Sequence, residues 1–374
     1  MKADAAERLN VVSRKSQELS QGACFACKWN IFVIDGAKAA AFCGPFPPAA
    51  AAHAAVMLSG PMRILVTGVS GFVGARLTPR LRRDGHELRG FCRDPARVPA
   101  GLGLPLVVGD AVTGDGLAEA LAGIELAYYL IHSMEPTTDP DAAPDFGARE
   151  RAAAERFAAA AELAGVRRIV YLGGPVPHAA PASPHLASRL AVERILLAAL
   201  PDSTALRASI VIGAGSRSFR FMVRLIERMP LVTLPAWRVH RTQPIDERDV
   251  IESLARAATA EPAFGRSLDV AGPDVVSYGE LIERIRDLML LRRPLVALDP
   301  PGWAGSVPVT SAVAAAIAGE ERALVEPLMT SLGSDLLPRP EADARVLGVR
   351  LHNLDAAIEH ALGEWERFEP LAAR

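Results

Sequence analysis

The sequence predicts an α/β protein in which a parallel sheet is covered by helices on both faces. Short apolar runs alternate with helix-like segments from residue 63 to residue 208, and this alternation indicates right-handed βαβ units. A glycine-rich stretch separates the first apolar run from the first helix-like segment. Together these observations predict a Rossmann-type doubly wound parallel sheet followed by a small C-terminal lobe.

The individual elements follow from the spacing of apolar residues and from helix stop signals. Residues 63–67 read as a buried strand, and Phe72 to Asp84 carry apolar side chains every four residues before Gly85. The other predicted strands are 87–92, 105–108, 125–131, 167–172 and 204–208, and the other predicted helices are 115–122, 148–164, 186–199, 218–229 and 354–367.

The composition changes abruptly near residue 60. The four lysines all lie within the first 38 residues, and the alanine- and proline-rich residues 39–56 offer no repeating apolar face. We therefore expect residues 1–61 to be a disordered extension, residues 62–300 to form the Rossmann domain and residues 301–374 to form a small, mostly helical lobe.

Charge and composition exclude several classes of partner. The net charge is −2 and aromatic residues make up 5% of the chain, which argues against a nucleic-acid partner. The apolar run 309–319 is too short to span a bilayer, so we expect no membrane span, and peripheral membrane contact stays open. Cys24 and Cys27 form a lone CxxC, so no metal site is predicted. Because only Cys92 follows residue 43, we expect a reducing, cytoplasmic location.

The stretch ILVTGVSGFVGARL, residues 64–77, has three glycines spaced G-x-x-G-x-x-G between a strand and a helix. This spacing predicts a site for a dinucleotide pyrophosphate. The first glycine would make the turn, the second would let the pyrophosphate approach the backbone, and the third would let the helix pack on the strand. The N-terminus of that helix would attract the phosphates. The predicted cofactor contacts in this loop are Gly68, Ser70, Gly71, Phe72, Val73 and Gly74.

The end of the second predicted strand indicates which dinucleotide binds. Arg93 stands where an acidic residue would favour NAD, and Arg97 follows it. Because guanidinium groups pair with a ribose 2′-phosphate, these residues predict NADP. NAD remains the alternative, because Asp94 could reach the ribose. Asp110, after the third strand, is predicted either to bind the adenine amino group or to serve as a turn residue.

Five further segments, in order along the chain, are similar to segments of a known protein family. These are CRDPARV, VVGD, VRRIVYLGG, LRASIVIGAGS and QPIDERDV. With the glycine stretch, they resemble the short-chain dehydrogenase/reductase superfamily in its extended and atypical branches. The chain is most similar to NmrA-like NAD(P)-binding members. These include bacterial relatives of the short-chain-dehydrogenase-type accessory subunit of respiratory complex I, and AYYLIHSM at 127–134 resembles that bacterial group. The resemblance implies a Rossmann fold, NAD(P) binding and an oxidoreductase activity.

The reaction of that family uses a tyrosine as general acid, a lysine four residues later that lowers its pKa, and a nearby serine. No tyrosine here is followed by lysine at that spacing, and no lysine occurs after Lys38. In the matching segment, SPHLASRLAVERIL, His185 and Arg189 stand at the spacing of the pair, and the serine region reads Gly173-Gly174.

Two functional alternatives therefore remain. In the first, His185 or His132 replaces the acid, Arg189 holds a cofactor ribose, a phosphate or an anionic substrate, and hydride passes between NADP(H) and a carbonyl or quinone-like compound. In the second, NAD(P)(H) binds without turnover, and the protein is a redox sensor or an assembly factor for a quinone-linked complex. His185 as a mere helix start and Arg189 as a solvated residue are the structural alternatives. The sequence leaves the oligomeric state open.

Overall fold

The computed structural model describes residues 60–132, 146–178, 182–297, 307–319, 322–369 and 371. The predicted extension, up to residue 59, lies outside these ranges. The strands are β1 (Arg63–Thr67), β2 (Glu87–Cys92), β3 (Leu106–Val108), β4 (Leu126–Tyr129), β5 (Arg168–Gly173), β6 (Thr204–Ala208), β7 (Val211–Ile212), β8 (Val232–Leu234), β9 (Arg241–Thr242), β10 (Ile245–Asp246), β11 (Ser267–Val270), β12 (Val276–Ser277) and β13 (Leu295–Ala297). The helices are α1 (Phe72–Arg83), α2 (Leu117–Leu121), α3 (Phe146–Leu163), α4 (Pro184–Ala199), α5 (Arg217–Arg228), α6 (Glu247–Ala257), α7 (Tyr278–Leu288), α8 (Val307–Ala318), α9 (Arg322–Ser331) and α10 (Leu354–Trp365).

Seven strands form the central sheet in the order β3-β2-β1-β4-β5-β6-β11, and every neighbouring pair is parallel. The chain first builds outward from β1 to β3 and then returns to add β4 on the other side of β1. The strand order therefore switches between β1 and β4, which is where a doubly wound sheet opens a ligand crevice at the carboxyl ends of its strands. The predicted fold class is confirmed.

Both faces of this sheet are covered, as the side-chain alternation of a strand requires. Ile64 and Val66 of β1 belong to one buried cluster, which includes Leu77 of α1 and Leu254 of α6. Leu65, between them in sequence, belongs to a second cluster on the opposite face. That cluster is completed by α2, α3 and α4. The almost continuous apolar sequence of β1 thus reflects burial on both sides.

The C-terminal helix shares a core with elements that precede residue 300. Ile358 and Trp365 of α10 pack in one buried cluster with Phe219 of α5 and Ile285 of α7. The predicted domain boundary at residue 300 stays a prediction. Helix α8, which contains most of the apolar run 309–319, packs through Ala315 against Phe221 of α5. Among the described residues, no helix combines the length and apolar character that a bilayer span needs.

Candidate functional site

The glycine loop lies at the switch in strand order. Gly68 has a φ of +63°, a left-handed conformation that favours glycine. A β-carbon there would also lie 2.8 Å from the carbonyl oxygen of Leu130, the residue after β4. A β-carbon on Gly74 would overlap the carbonyl oxygen of Gly68. These close approaches hold the start of α1 directly beside the crevice between β1 and β4.

The N-terminus of α1 fits the phosphates of a dinucleotide. Gly71 is the N-cap residue and has no side chain to accept from the first-turn N–H groups, and the first turn contains no acidic residue. Such an end combines free donors with the positive end of the helix dipole. Gly71 and Ser70 are exposed, and Val73 is partly so. The ring of Phe72 turns away to pack beside Gly213 and Gly215, so its backbone is the part that remains for the cofactor.

The residues that would choose between NADP and NAD lie after β2 and β3. Arg93 and Arg97 are exposed just beyond the carboxyl end of β2. Asp94 accepts the N–H of Ala96 at 2.9 Å, as a turn cap. Asp110 accepts the N–H of Val112 at 2.7 Å, which is the turn role that the sequence left as one alternative. Contacts of Arg93 and Arg97 with a 2′-phosphate, and of Asp110 with adenine, stay predictions.

A polar cluster lies beyond the carboxyl ends of β4 and β5. His132 follows Leu130 by two residues, and its Nδ1 lies 2.8 Å from Oε1 of Glu150. Ser188 donates its hydroxyl to Oε2 of the same carboxylate at 2.7 Å. Glu150 is only 3% exposed. Burial alone would raise its pKa, but the bonds from His132 and Ser188 and the charge of Arg189 lower it to about 2.

Arg189 is buried in this cluster and is 8% exposed, so the solvated alternative is wrong. Its guanidinium donates to the carbonyls of Leu172 and Ile131. It lies 3.6 Å from Oε1 of Glu150 and stacks 4.9 Å from the centroid of the Tyr171 ring. Arg189 therefore ties the ends of β4 and β5 together. Its predicted contact with a cofactor or substrate stays a prediction.

The two candidate histidines are neighbours, with ring centroids 5.2 Å apart. His185 lies in the first turn of α4, and its Nδ1 is buried without a hydrogen-bond partner among the described residues. Burial, with the nearby His132 and Arg189, lowers the pKa of His185 to about 3. Burial and the charge of Arg189 also lower the pKa of His132, although Glu150 opposes this effect.

The four tyrosines do not suit the role of general acid in the family reaction. Tyr128, Tyr129, Tyr171 and Tyr278 are all buried, and burial raises the pKa of each. The hydroxyl of Tyr128 donates to the carbonyl of Leu254 at 2.9 Å, and that of Tyr171 donates to the carbonyl of Arg189 at 3.1 Å. The titratable side chains of this cluster are therefore histidine and glutamate.

Glu150 was not among the predicted site residues, although its position in the sequence pattern of α3 indicates a buried carboxylate. It shares one face of α3 with the buried residues Ala153, Ala154 and Phe157, which follow it at helical spacing. A charged residue on the apolar face of an amphipathic helix indicates a buried partner or a functional site.

A G-x-x-G-x-x-G loop at the switch point of a parallel sheet defines a Rossmann-type dinucleotide-binding protein. The comparison with protein families agrees, because residues 68–209 match a family described as NAD(P)H-binding. This match covers the glycine loop, the histidine cluster and strands β2 to β6.

Curated relatives carry the comparison further. The chain is 36% identical over 113 residues to a 3-beta-hydroxysteroid dehydrogenase of Mycolicibacterium neoaurum, covering 29% of this chain and 31% of that protein. It is 24% identical over 233 residues to subunit 9 of the NADH dehydrogenase [ubiquinone] 1 alpha subcomplex of Arabidopsis thaliana, covering 60% and 57% of the two chains. The chain thus spans about a third of the dehydrogenase and over half of the mitochondrial subunit.

Solved structures show the same fold. The structure named gox2253 aligns with a TM-score of 0.62 and 21% identity, covering 81% of this chain and 97% of that one. MoeE5 in complex with UDP-glucose and NAD aligns with a TM-score of 0.60 and 22% identity, covering 82% and 99%. These similarities together support an NAD(P)-binding protein that resembles atypical short-chain dehydrogenases/reductases.

Proposed function

We propose that this protein is an NADP(H)-dependent oxidoreductase that moves a hydride between the cofactor and a carbonyl or quinone-like compound. The observation that carries the proposal is the closeness of two features. Gly68 approaches Leu130 so closely that a β-carbon on Gly68 would lie 2.8 Å from the carbonyl oxygen of Leu130, and the chain reaches His132 two residues later. The predicted phosphate site and the titratable cluster thus lie at the same crevice, and this supports oxidoreduction with a dinucleotide.

In this proposal, different residues of the chain bind the pyrophosphate, bind the 2′-phosphate and transfer the proton. The backbone of the glycine loop and of the first turn of α1 binds the pyrophosphate, and Arg93 and Arg97 bind the 2′-phosphate. Bound NADPH supplies the hydride, whereas the proton must come from the chain or from water. His132 and His185 are the candidate proton donors, because the tyrosines are buried and the hydroxyls of Tyr128 and Tyr171 donate to backbone carbonyls.

The curated relatives support a carbonyl or secondary alcohol more than a quinone. One relative that is 36% identical over 113 residues is a 3-beta-hydroxysteroid dehydrogenase, whose name describes an alcohol-to-ketone reaction. That similarity spans about a third of the relative, so it supports the reaction type and leaves the identity of the substrate to experiment.

The second candidate function is NAD(P)(H) binding without turnover, in a redox sensor or an assembly factor for a quinone-linked complex. The absence of a Tyr-x-x-x-Lys pair favours it, as does the longer similarity to a subunit of mitochondrial NADH dehydrogenase.

In either case we propose a cytoplasmic location, since Cys92 is a free, buried thiol. We further propose that its partners include no nucleic acid.

Cofactor titration followed by turnover separates these functions. The full-length protein is titrated with NADPH and NADH by nicotinamide fluorescence, and absorbance then follows turnover with ketones, secondary alcohols and quinones. Turnover supports the oxidoreductase. Tight binding without turnover of any compound supports the sensor or assembly factor. If neither dinucleotide binds, both proposals are wrong.

A further inference from the structure

Glu150 is a buried carboxylate at the crevice, and both of its oxygens are used. Oε1 faces Nδ1 of His132 at 2.8 Å, and Oε2 accepts from Ser188 at 2.7 Å. Arg189 adds a positive charge at 3.6 Å from Oε1. An ion buried to this degree needs such compensation to be stable. These three interactions keep Glu150 ionised and hold its carboxylate in one position and orientation.

This arrangement determines which nitrogen of His132 carries the proton. A carboxylate only accepts hydrogen bonds, so the nitrogen at 2.8 Å from Glu150 must be Nδ1–H. Arg189 Nη1 is also a donor and stands farther from Nδ1, at 3.4 Å. Nε2, on the far side of the ring from Glu150, is then a bare proton acceptor. The carboxylate would stabilise the imidazolium that forms when Nε2 takes a proton.

The position of His132 suits proton transfer better than that of His185. The side chain of His132 keeps 34% of its surface exposed. The residue stands two positions beyond Leu130, whose carbonyl oxygen would lie 2.8 Å from a β-carbon on Gly68. The ring of His185 packs against it, as does that of Phe146, at 5.8 Å between centroids. Because its pKa is lowered to about 3, His185 stays unprotonated near neutral pH.

The surroundings of His132 lower the pKa of its imidazole and so favour the neutral ring. Burial has the largest effect, and the positive charges of Arg189 and Arg217 act in the same direction. Glu150 is the negative group that opposes them. A neutral imidazole with a free Nε2 is suited to accept a proton from a substrate hydroxyl, which is the oxidative direction.

We propose that His132 is the base that takes the hydroxyl proton of a secondary alcohol, with Glu150 as its positioning residue. This inference rests on the proposed oxidoreductase function. The O–H bond breaks and its proton moves to Nε2 of His132. The carbinol C–H bond breaks, its hydrogen and electron pair pass to bound NAD(P)⁺, and the C=O bond of the ketone forms. His132 then releases the proton to water.

The first test observes the histidine ring directly in the full-length protein without cofactor. Nitrogen-15 NMR of histidine-labelled protein reports the tautomer and the pKa of His132, assigned with His132→Gln. We expect the Nδ1–H form in the wild type. Glu150→Gln should shift the population towards Nε2–H and lower the pKa, because the carboxylate is lost. Glu155→Gln, at an exposed position of the same helix, should change neither. A wild-type His132 that is mainly Nε2–H would overturn the proposal.

The second test measures NADP⁺ or NAD⁺ reduction with cyclohexanol and with a 3β-hydroxysteroid. His132→Gln should lower kcat about 100-fold or more at an unchanged Kd for the dinucleotide, and Glu150→Gln should lower kcat about 10-fold or more. His185→Gln should lower kcat far less than His132→Gln.

The outcomes separate this inference from the function on which it rests. If the wild type oxidises alcohols and His132→Gln does so equally well, the inference is wrong and the proposed function stands. If the wild type binds a dinucleotide but oxidises neither alcohol, the inference is wrong too; turnover of a ketone or quinone then decides whether the proposed function survives.

Discussion

Gly71 donates its backbone N–H to the carbonyl oxygen of Gly68 at 2.9 Å, so the loop after β1 closes into a turn before α1 begins. A β-carbon on Gly71 would lie 3.2 Å from that oxygen, which is tight but leaves the backbone, with φ of −83°, in a region open to alanine. The position therefore tolerates a methyl group better than Gly68 or Gly74 does.

Gly71→Ala should weaken dinucleotide binding more than it destabilises the fold. The methyl group would occupy the exposed side where a pyrophosphate approaches the helix N-terminus, so we expect the Kd for NADPH to rise about 10-fold or more, or about 1.4 kcal/mol, with little change in Tm. Fluorescence titration and thermal unfolding measure the two effects. Gly363→Ala, in α10 where a β-carbon has open space, is the control and should not affect binding. An unchanged Kd would contradict a phosphate site at this turn.

Arg93→Ala should weaken the binding of NADPH selectively. A lost charge-assisted bond to a 2′-phosphate costs about 1.5 to 3 kcal/mol, so the Kd for NADPH should rise about 10-fold or more while the Kd for NADH changes little. Arg97→Ala tests the second guanidinium in the same way, and Arg151→Ala, exposed on α3, is the control. Equal losses for both dinucleotides would count against the preference for NADP.

Glu193→Ala should be strongly destabilising, because it leaves a buried arginine without its main partner. Arg207 binds both oxygens of Glu193, at 2.8 and 2.5 Å, and both side chains are buried. Breaking one side of such a pair costs about 3 to 5 kcal/mol. Urea unfolding measures the loss. The adjacent, exposed Arg194 is the control, and Arg194→Ala should change the free energy of unfolding by about 0.5 kcal/mol or less. A similarly small change in the free energy of unfolding for Glu193→Ala would contradict the prediction, because it would mean that the side chains around Arg207 rearrange to replace Glu193.

Much of the dinucleotide half of the fold could be predicted from local sequence. The strand at 63–67 and the helix beginning at Phe72 have the predicted starts, because apolar periodicity and glycine positions act over only a few residues. Strand β11 was missed. It has four residues, and the buried Asp269 at its third position, which pairs with Arg207 and Arg339, interrupts its apolar pattern.

The candidate site was less predictable, because its contacts join distant parts of the chain. His185 was a candidate because it stands at the position of the family's tyrosine, and both histidines were candidates because imidazole titrates near neutral pH. Glu150, which joins His132 to Ser188, lies 18 residues from the first and 38 from the second. Which side chains converge at the carboxyl ends of β4 and β5 depends on how α3 and α4 pack on the sheet, and local patterns do not specify that packing.

A second polar cluster combines Glu247, His360 and Glu364, whose ligand atoms lie within 4.8 Å of one another. The sequence predicted no metal site, and here Arg76 already supplies a positive charge between the carboxylates. Its Nε lies 3.1 Å from Glu247, and its Nη2 lies 2.5 Å from Glu364. Glu247 is 5% exposed, and its Oε2 has no hydrogen-bond partner among the described residues.

Glu247 should make the stability of the protein fall as the pH rises towards neutrality. Burial raises its pKa to about 7, with the charges of Glu364 and Asp246 adding to the effect and Arg76 opposing it. The folded state therefore holds a proton that an unfolded glutamate, with its ordinary pKa of 4.5, has already released. Because the folded state binds more protons between these two values, the free energy of unfolding decreases with pH across that window, by up to about 3 kcal/mol.

Glu247→Gln removes this proton linkage, so the variant should gain stability relative to the wild type as the pH rises from about 5 to about 8. Urea unfolding at intervals across that range measures the difference, whose slope matters more than its absolute value because the variant also loses the charge that pairs with Arg76. Glu359→Gln, at an exposed position of α10, is the control and should give a parallel curve. If the Glu247→Gln curve were also parallel to the wild type, the carboxyl would be ionised throughout this range, and Arg76 would then outweigh the effect of burial.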